Sequence, residues 1–213
     1  MEERAVSVQT IRRLPVYLRY LQEQSGTTVS AASMAKAFGL NAVQVRKDLA
    51  AVSECGGRSG VGYETQALAR DIRRFLGCDH ARYAVLAGAG NLGQALMGYG
   101  GFAACGMRLC AALDTNPSLV GREIHGVPVY SPDCMEEICG RWGVEIGVLA
   151  VPAGVAQRVC DRMVDCGVRA IWNFVPEHLN VPRGVRLQNE NLAASLVVLS
   201  KRLKQQRTGQ VKE

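Results

Sequence analysis

Apolar positions along the chain follow two rhythms, and the change between them falls near residue 80. In the first segment the period is helical. Leu14, Leu18 and Leu21 recur at i, i+4 and i+7 with Tyr17 and Tyr20 beside them, which predicts a helix from about Thr10 to Gln24 with Pro15 tolerated only in its first turn. Ser25-Gly26 ends it. Ser30 then caps an Ala-rich helix to Phe38, Gly39-Leu40 forms a turn, and Asn41 caps a further helix to about Val52. In that helix Val43, Val45 and Leu49 are the predicted buried positions, while Gln44, Arg46, Lys47 and Asp48 form a polar face able to reach a DNA groove. Two short helices across a Gly turn have the form of a helix-turn-helix, although a generic helical hairpin has the same pattern. Gly56 to Gly62 followed by Tyr63 reads as a tight hairpin with Arg58 at its tip, a wing beside the helices, or else as a flexible surface loop. Thr65 to Leu76, with Leu68, Ile72 and Leu76 in register and Gly77 as stop, predicts one more helix.

Beyond His80 short apolar runs alternate with helical stretches. Tyr83–Ala87, Leu109–Leu113, Val127–Tyr130, Ile146–Val151, Ala170–Trp172 and Val185–Leu187 read as strands, with helices near 91–100, 133–142, 154–166 and 191–206. The expected fold class is therefore α/β: a winged helix-turn-helix domain over 1–80, a parallel-sheet dinucleotide-binding domain with helices on both faces over 81–190, and a C-terminal helix with a basic tail over 191–213. In the last helix Leu192, Leu196, Leu199 and Leu203 have the spacing of a coiled-coil seam. That seam fits burial on its own sheet or exchange into a second subunit.

Composition narrows the classes. With 213 residues there is no room for a cofactor domain, a substrate domain and a further module together. The longest apolar stretches are too short and too interrupted for a membrane helix, and the first residues lack an apolar signal core, so the expected location is the cytoplasm. The eight cysteines include no C-x-x-C pair and only three histidines accompany them, so a structural metal site is not expected; the thiols read as reduced core residues, with Cys55 the exposed exception. Charge sits at the ends. Residues 1–80 carry 11 basic and 8 acidic side chains, 81–200 carry 9 and 10, and 201–213 carry 5 and 1, including Lys201, Arg202, Lys204 and Arg207. That distribution permits nucleic-acid binding without requiring it.

The segment Gly88-Ala89-Gly90-Asn91-Leu92-Gly93 follows a predicted strand and opens a predicted helix, the context in which G-x-G-x-x-G binds a pyrophosphate. Gly88 makes the turn, Gly90 lets the backbone approach the phosphates, Gly93 lets helix and strand pack, and the helix start offers free N–H groups. Asp114, 21 residues past Gly93, ends the next strand and is placed to accept hydrogen bonds from the adenine ribose hydroxyls. Neither Thr115 nor Asn116 offers a cation for a 2′-phosphate, so NAD is favoured over NADP. A reaction centre is harder to find. Residues 81–200 contain no lysine and only His125 and His178, both read as surface residues, so cofactor binding without chemistry is the leading idea.

These residues resemble the Rex redox-sensing transcriptional repressors of bacteria over about residues 10–205. The resemblance rests on Arg13-Leu-Pro-Val-Tyr-Leu-Arg-Tyr-Leu21, Gln44-Val-Arg-Lys-Asp-Leu49, Gly60-Val-Gly-Tyr63, the Gly88–Gly93 loop, Gly126-Val-Pro-Val-Tyr130, Val151-Pro-Ala153 and Asn173-Phe174. It implies a homodimer with an exchanged C-terminal helix, bound to an inverted-repeat operator in double-stranded DNA. NADH, in competition with NAD+, closes the nucleotide domains and moves the winged helices out of register. By the same resemblance Tyr99, Val151 and Pro152 lie toward the nicotinamide, Arg46 and Lys47 serve the recognition helix, and Arg58 serves the wing. Two departures stand out. In place of the family's Phe-Gly-x-Phe-Gly-Lys-Arg run the chain has Val52-Ser-Glu-Cys-Gly-Gly-Arg58 and an extra Ser59, and in place of an Asp at the start of the last helix it has Asn191. The second predicts weaker discrimination between NADH and NAD+ than the family norm.

Three functions follow as expectations: a non-enzymatic repressor that reads the NADH to NAD+ ratio, a DNA-binding dimer with a vestigial nucleotide pocket, and a small NAD-dependent oxidoreductase or CoA-ligase-like fragment.

Overall fold

The first helices begin where short polar side chains satisfy the free N–H groups of a first turn. In the computed structural model, which describes residues 6–54 and 56–207, Ser7 accepts from the Thr10 N–H and opens α1 (Val8–Glu23). Pro15 lies well inside this helix rather than in its first turn, because Leu14, Tyr17, Leu18 and Leu21 form one buried stripe that runs past it. The short strand β1 (Thr28–Val29) leads to Ser30, which forms a reciprocal capping pair with Ser33 and starts α2 (Ala31–Phe38). Gly39 ends α2 in the left-handed region, φ 63°, and Asn41 caps α3 (Ala42–Val52) through the Val43 N–H. After β2 (Tyr63–Glu64) the Glu64 carboxylate caps α4 (Thr65–Phe75). Leu14, Tyr17 and Leu18 of α1, Met34 of α2, Val45 and Leu49 of α3, and Leu68 and Ile72 of α4 share one core.

The Gly-rich stretch before β2 is a hairpin and not a flexible loop. Arg58 and Gly62 exchange backbone hydrogen bonds of 2.8 and 2.9 Å, and β2 pairs antiparallel with β1. Its glycines are structural. A Cβ on Gly62, φ 92°, would overlap the Val29 carbonyl, and one on Gly57 would press into the Tyr63 ring at 2.9 Å. Arg58 closes the turn by pairing with Gly62, one residue before the tip Ser59-Gly60-Val61. Cys55, expected as an exposed thiol, lies outside the described residues.

A second unit begins at β3 (Arg82–Ala87), followed by α5 (Asn91–Met97). The helix expected near 91–100 stops early at Gly98, and α6 (Gly101–Ala104) clusters with the N-terminal unit as part of Gly101–Met107. Then follow β4 (Met107–Leu113), β5 (Glu123–Ile124), β6 (Val127–Tyr130), a 3-10 turn at Pro132–Cys134, α7 (Met135–Trp142), β7 (Ile146–Leu149), α8 (Ala156–Asp165), β8 (Ala170–Asn173), β9 (Arg186–Asn189) and α9 (Leu192–Arg207). The strand order is β5-β6-β4-β3-β7-β8-β9. The pairs β4–β6, β3–β7, β7–β8 and β8–β9 are parallel, so β6-β4-β3-β7-β8-β9 has the 3-2-1-4-5-6 order of a dinucleotide-binding sheet, reversing between β3 and β7. The β5–β6 hairpin, missed in the sequence, adds an antiparallel edge through a turn in which His125 and Gly126 both have positive φ.

The central strands are buried, with Ala84–Leu86 and Ala111–Leu113 almost fully covered. Asn173, fully buried at the end of β8, holds the following loop through Val175, Glu177 and Asn189. The described apolar side chains of α9 are different: Leu196, Val197, Val198, Leu199 and Leu203 are all more than half exposed. The side chain of Leu192, the first of the predicted seam, and that of Arg207 in the predicted basic tail lie outside the described residues.

Candidate functional site

Crevices form at the carboxyl ends of a parallel sheet where the strand order reverses. Here β3 and β7 part around the loop Gly88–Gly93. Gly88 has φ 96°, and a Cβ on it would overlap the Ala150 carbonyl; a Cβ on Gly93 would overlap the Gly88 carbonyl itself. Both are glycine because backbone occupies the space. Gly90 is the opposite case, with nothing within 4 Å of its Cβ position although it lines a cavity of about 710 Å³. The loop is held by the Gln94 amide, which donates to the Ala89 carbonyl at 2.9 Å, and no side chain caps α5.

Asp114 stands across from that loop. Its Oδ2 accepts from the Ala89 N–H at 2.6 Å and its Oδ1 from the Asn116 N–H at 2.8 Å, so each oxygen is anchored by one backbone donor and keeps capacity for another. A ribose diol fits that capacity, and a pyrophosphate fits the space that a side chain on Gly90 would fill. The residues present therefore suit a dinucleotide.

Val151 and Pro152 line the cavity, on the loop after β7 rather than in the strand. Ala89 is buried behind the glycine turn, while Asn91 and Leu92 are exposed on the first turn of α5. Tyr99 is not brought to the cavity: it follows the end of α5 and is 57% exposed. Arg158 and Arg162, on the cavity side of α8, were missed. Their i, i+4 spacing on a strongly amphipathic stretch was the available signal. They also remove one support for NAD over NADP, because cations absent after Asp114 arrive from another element; what remains is the repulsion between Asp114 and a 2′-phosphate. The described lining holds no His, Lys, Tyr or Cys. His125 and His178 are exposed elsewhere.

In the N-terminal unit, α3 presents Arg46 and Lys47 to solvent, and Arg58 is exposed on the hairpin. Two expectations for α3 are corrected. Val43 is 54% exposed, because it lies opposite the buried Val45, Asp48, Leu49 and Val52. Asp48 is 1% exposed and is not part of the outer face. It accepts from Thr10 Oγ1 (3.0 Å), Arg13 Nε and Nη2 (2.7 and 2.9 Å), the Tyr17 hydroxyl (2.9 Å) and Gln44 Nε2 (2.9 Å), tying α1 to α3. Burial alone would raise its pKa, but the hydrogen bonds from Arg13, Gln44, Tyr17 and Thr10 together hold it below its ordinary value. Burial, and then the bond to Asp48, pushes Tyr17 up to about 12. Gln44 is thus exposed yet anchored.

The family model for the CoA binding domain matches residues 79–177, and that for the putative DNA-binding protein N-terminus matches residues 5–50. The chain is 44% identical over 200 residues to the redox-sensing transcriptional repressor Rex of Streptomyces coelicolor, covering 92% of this chain and 77% of that one. It is 38% identical over 203 residues to the protein of the same name in Clostridioides difficile, covering 94% and 96%. Its structure is similar to that of RSP in complex with beta-NAD+ and operator DNA, with TM-score 0.83, 37% identity, and 96% and 95% of the two chains covered. For RSP in complex with beta-NADH the TM-score is 0.80 at 36% identity, covering 96% and 97%.

Proposed function

The chain belongs to the Rex family of redox-sensing transcriptional repressors, and on that premise we propose that it binds operator DNA as a homodimer in the cytoplasm and releases it when NADH fills the Gly88–Asp114 cavity. It is a sensor and not an enzyme. The functional division is a DNA-reading segment over 1–80, a nucleotide-binding segment over 81–190, and a dimerising helix beyond. Gly88, Ala89, Gly90, Asn91, Leu92 and Gly93 hold the pyrophosphate, Asp114 holds the ribose, and Val151 and Pro152 face the nicotinamide, while Tyr99, assigned there by the resemblance, stands outside this cavity. Gln44, Arg46 and Lys47 enter the groove and Arg58 serves the wing.

The observation that carries this reading is the state of Gly90 and Asp114. A nucleotide pocket that had lost its use would not need to keep Gly90 open to a cavity while Asp114 is anchored with capacity to spare. Physically the signal is linkage: NADH must bind the DNA-released state more tightly than the DNA-competent one, and the ratio of those affinities is the largest response available. The exposed apolar residues of α9 favour a second copy of the chain as their cover.

The test is fluorescence anisotropy of the purified protein on an inverted-repeat operator duplex at fixed salt, titrated separately with NADH and NAD+. Release by NADH at lower concentration than by NAD+ is the expected result, and the ratio of the two midpoints, set against that of Asn191→Asp, measures what Asn191 does to discrimination. Tight DNA binding indifferent to both nucleotides would overturn the sensing half and leave a DNA-binding dimer whose pocket answers something else.

A further inference from the structure

Asp48 links two helices, but one of its five hydrogen bonds reaches a side chain on the outer face. Four come from α1, through Thr10, both Arg13 nitrogens and Tyr17; the fifth comes from Gln44 Nε2 at 2.9 Å, one helical turn earlier on α3. A carboxylate paired with Arg13 has only acceptors to offer, so it admits the nitrogen of the Gln44 amide and not the oxygen. The orientation of that amide is therefore decided inside the protein. One N–H is occupied by Asp48; when that is the hydrogen trans to Oε1, the Oε1 acceptor and the remaining cis N–H stand as an adjacent pair.

That pair has a definite complement in the major groove. Adenine presents an N6 donor beside the N7 acceptor, matching Oε1 and N–H together. Guanine presents two acceptors and meets Oε1 with repulsion, cytosine offers a donor alone, and thymine an acceptor and a methyl group. We propose that Gln44, oriented by the buried carboxylate of Asp48, reads an adenine in each operator half-site, with Asp48 acting as a positioning residue that never touches DNA. This rests on the repressor reading of the chain. An unanchored glutamine can turn its amide over and must be immobilised at the moment of binding. Here Asp48 already limits that freedom, and 38 residues of chain separate it from Thr10, so the anchor is a product of the fold.

The experiment selects bound duplexes from a pool with a randomised central segment, using the full chain as wild type, Gln44→Ala, Gln44→Glu and Asp48→Asn, and sequences what each retains. Wild type is expected to enrich an inverted repeat with one adenine per half favoured by roughly five- to 150-fold. Gln44→Ala removes the preference at that position and keeps the others. Gln44→Glu moves it toward cytosine, whose N4 donor suits a carboxylate. Asp48→Asn, which can meet either end of the Gln44 amide, weakens the adenine preference while circular dichroism stays native. Should that variant not fold, relaxation of the Gln44 side-chain amide in free wild type decides the matter: an ordered amide is expected, and one as mobile as a solvent-exposed glutamine overturns the proposal. It is overturned equally by a wild-type motif in which no adenine responds to Gln44→Ala, or by a folded Asp48→Asn protein with the full preference. Wild type enriching no sequence at all would remove the repressor reading too, which the other adverse outcomes leave standing.

Discussion

Replacing Asp48 with alanine removes one acceptor from four side chains, and their exposures decide what each loss costs. Tyr17 is fully buried, so its stranded hydroxyl costs about 1–3 kcal/mol. Thr10 keeps the Ser7 hydroxyl at 2.9 Å, and exposed Gln44 turns to water, so both add little. Arg13 loses its only carboxylate among the described residues. Breaking a dry ion pair costs about 3–5 kcal/mol, but the Arg13 side chain is 24% exposed, and solvent reduces this to about 1–2 kcal/mol. The total is about 2–5 kcal/mol, or on the order of 10–30 °C in the melting of a small helical unit. Both tryptophans, Trp142 and Trp172, lie in the sheet unit. Far-ultraviolet circular dichroism and hydrogen exchange of peptides from α1 and α3 therefore report the loss better than tryptophan emission. Removing Arg13 as well should add little, because the pair is already broken. A loss below about 0.5 kcal/mol, or full additivity with Arg13→Ala, would refute the reasoning. The pH dependence has a fixed sign. Since the folded pKa lies below the unfolded value near 3.8, the contribution is complete above that value and vanishes as pH falls through the folded one. Wild type should thus lose an acid-labile increment that Asp48→Asn lacks.

Gly90→Ala should weaken NADH about tenfold or more in calorimetry with little change in melting, whereas Gly93→Ala should lower both, by about 1–3 kcal/mol in stability; equal effects of the two would refute the division between an open cradle and a packed turn. If the proposed dimer forms through the exposed row of α9, Leu199→Asp should convert it to a monomer in sedimentation, and an unchanged dimer would remove that row from the interface. Burial pushes the Cys110 and Cys139 thiols up to about 11, so both should resist iodoacetamide near neutral pH and react once urea unfolds the chain; rapid labelling in the native protein, read by mass spectrometry, would contradict the packing.

Much of the fold was legible because its signals are short in range. Ser30, Asn41 and Gly39 act on N–H and carbonyl groups within a few residues, and the Leu14–Leu18–Leu21 stripe needs only helical geometry to face one way. The Gly88–Gly93 loop and the strand ending at Asp114 likewise carried their own context. Where the structure departs from the sequence pattern, the deciding partner lies elsewhere in the chain. Val43 and Asp48 take the opposite places to those their polarity suggests, because an acid between Val45 and Val52 is buried when three α1 side chains can meet it. The backbone bonds to Gly62 place Arg58 on the pair that closes the turn of the wing, one residue before its tip.

What the sequence determined by itself was the kind of protein: helices in the order of a winged helix, then a glycine loop on a strand with its acid one strand later, each specified by local caps, periods and turns. The tertiary structure alone decided which groups meet. It placed Arg158 and Arg162 on the cavity of Asp114, left Tyr99 outside it, and turned Gln44 from one polar residue among several into an amide with a fixed direction. The physical reason is distance along the chain: hydrogen bonds and packing act over a few ångströms, and only the folded core brings partners tens of residues apart within that reach.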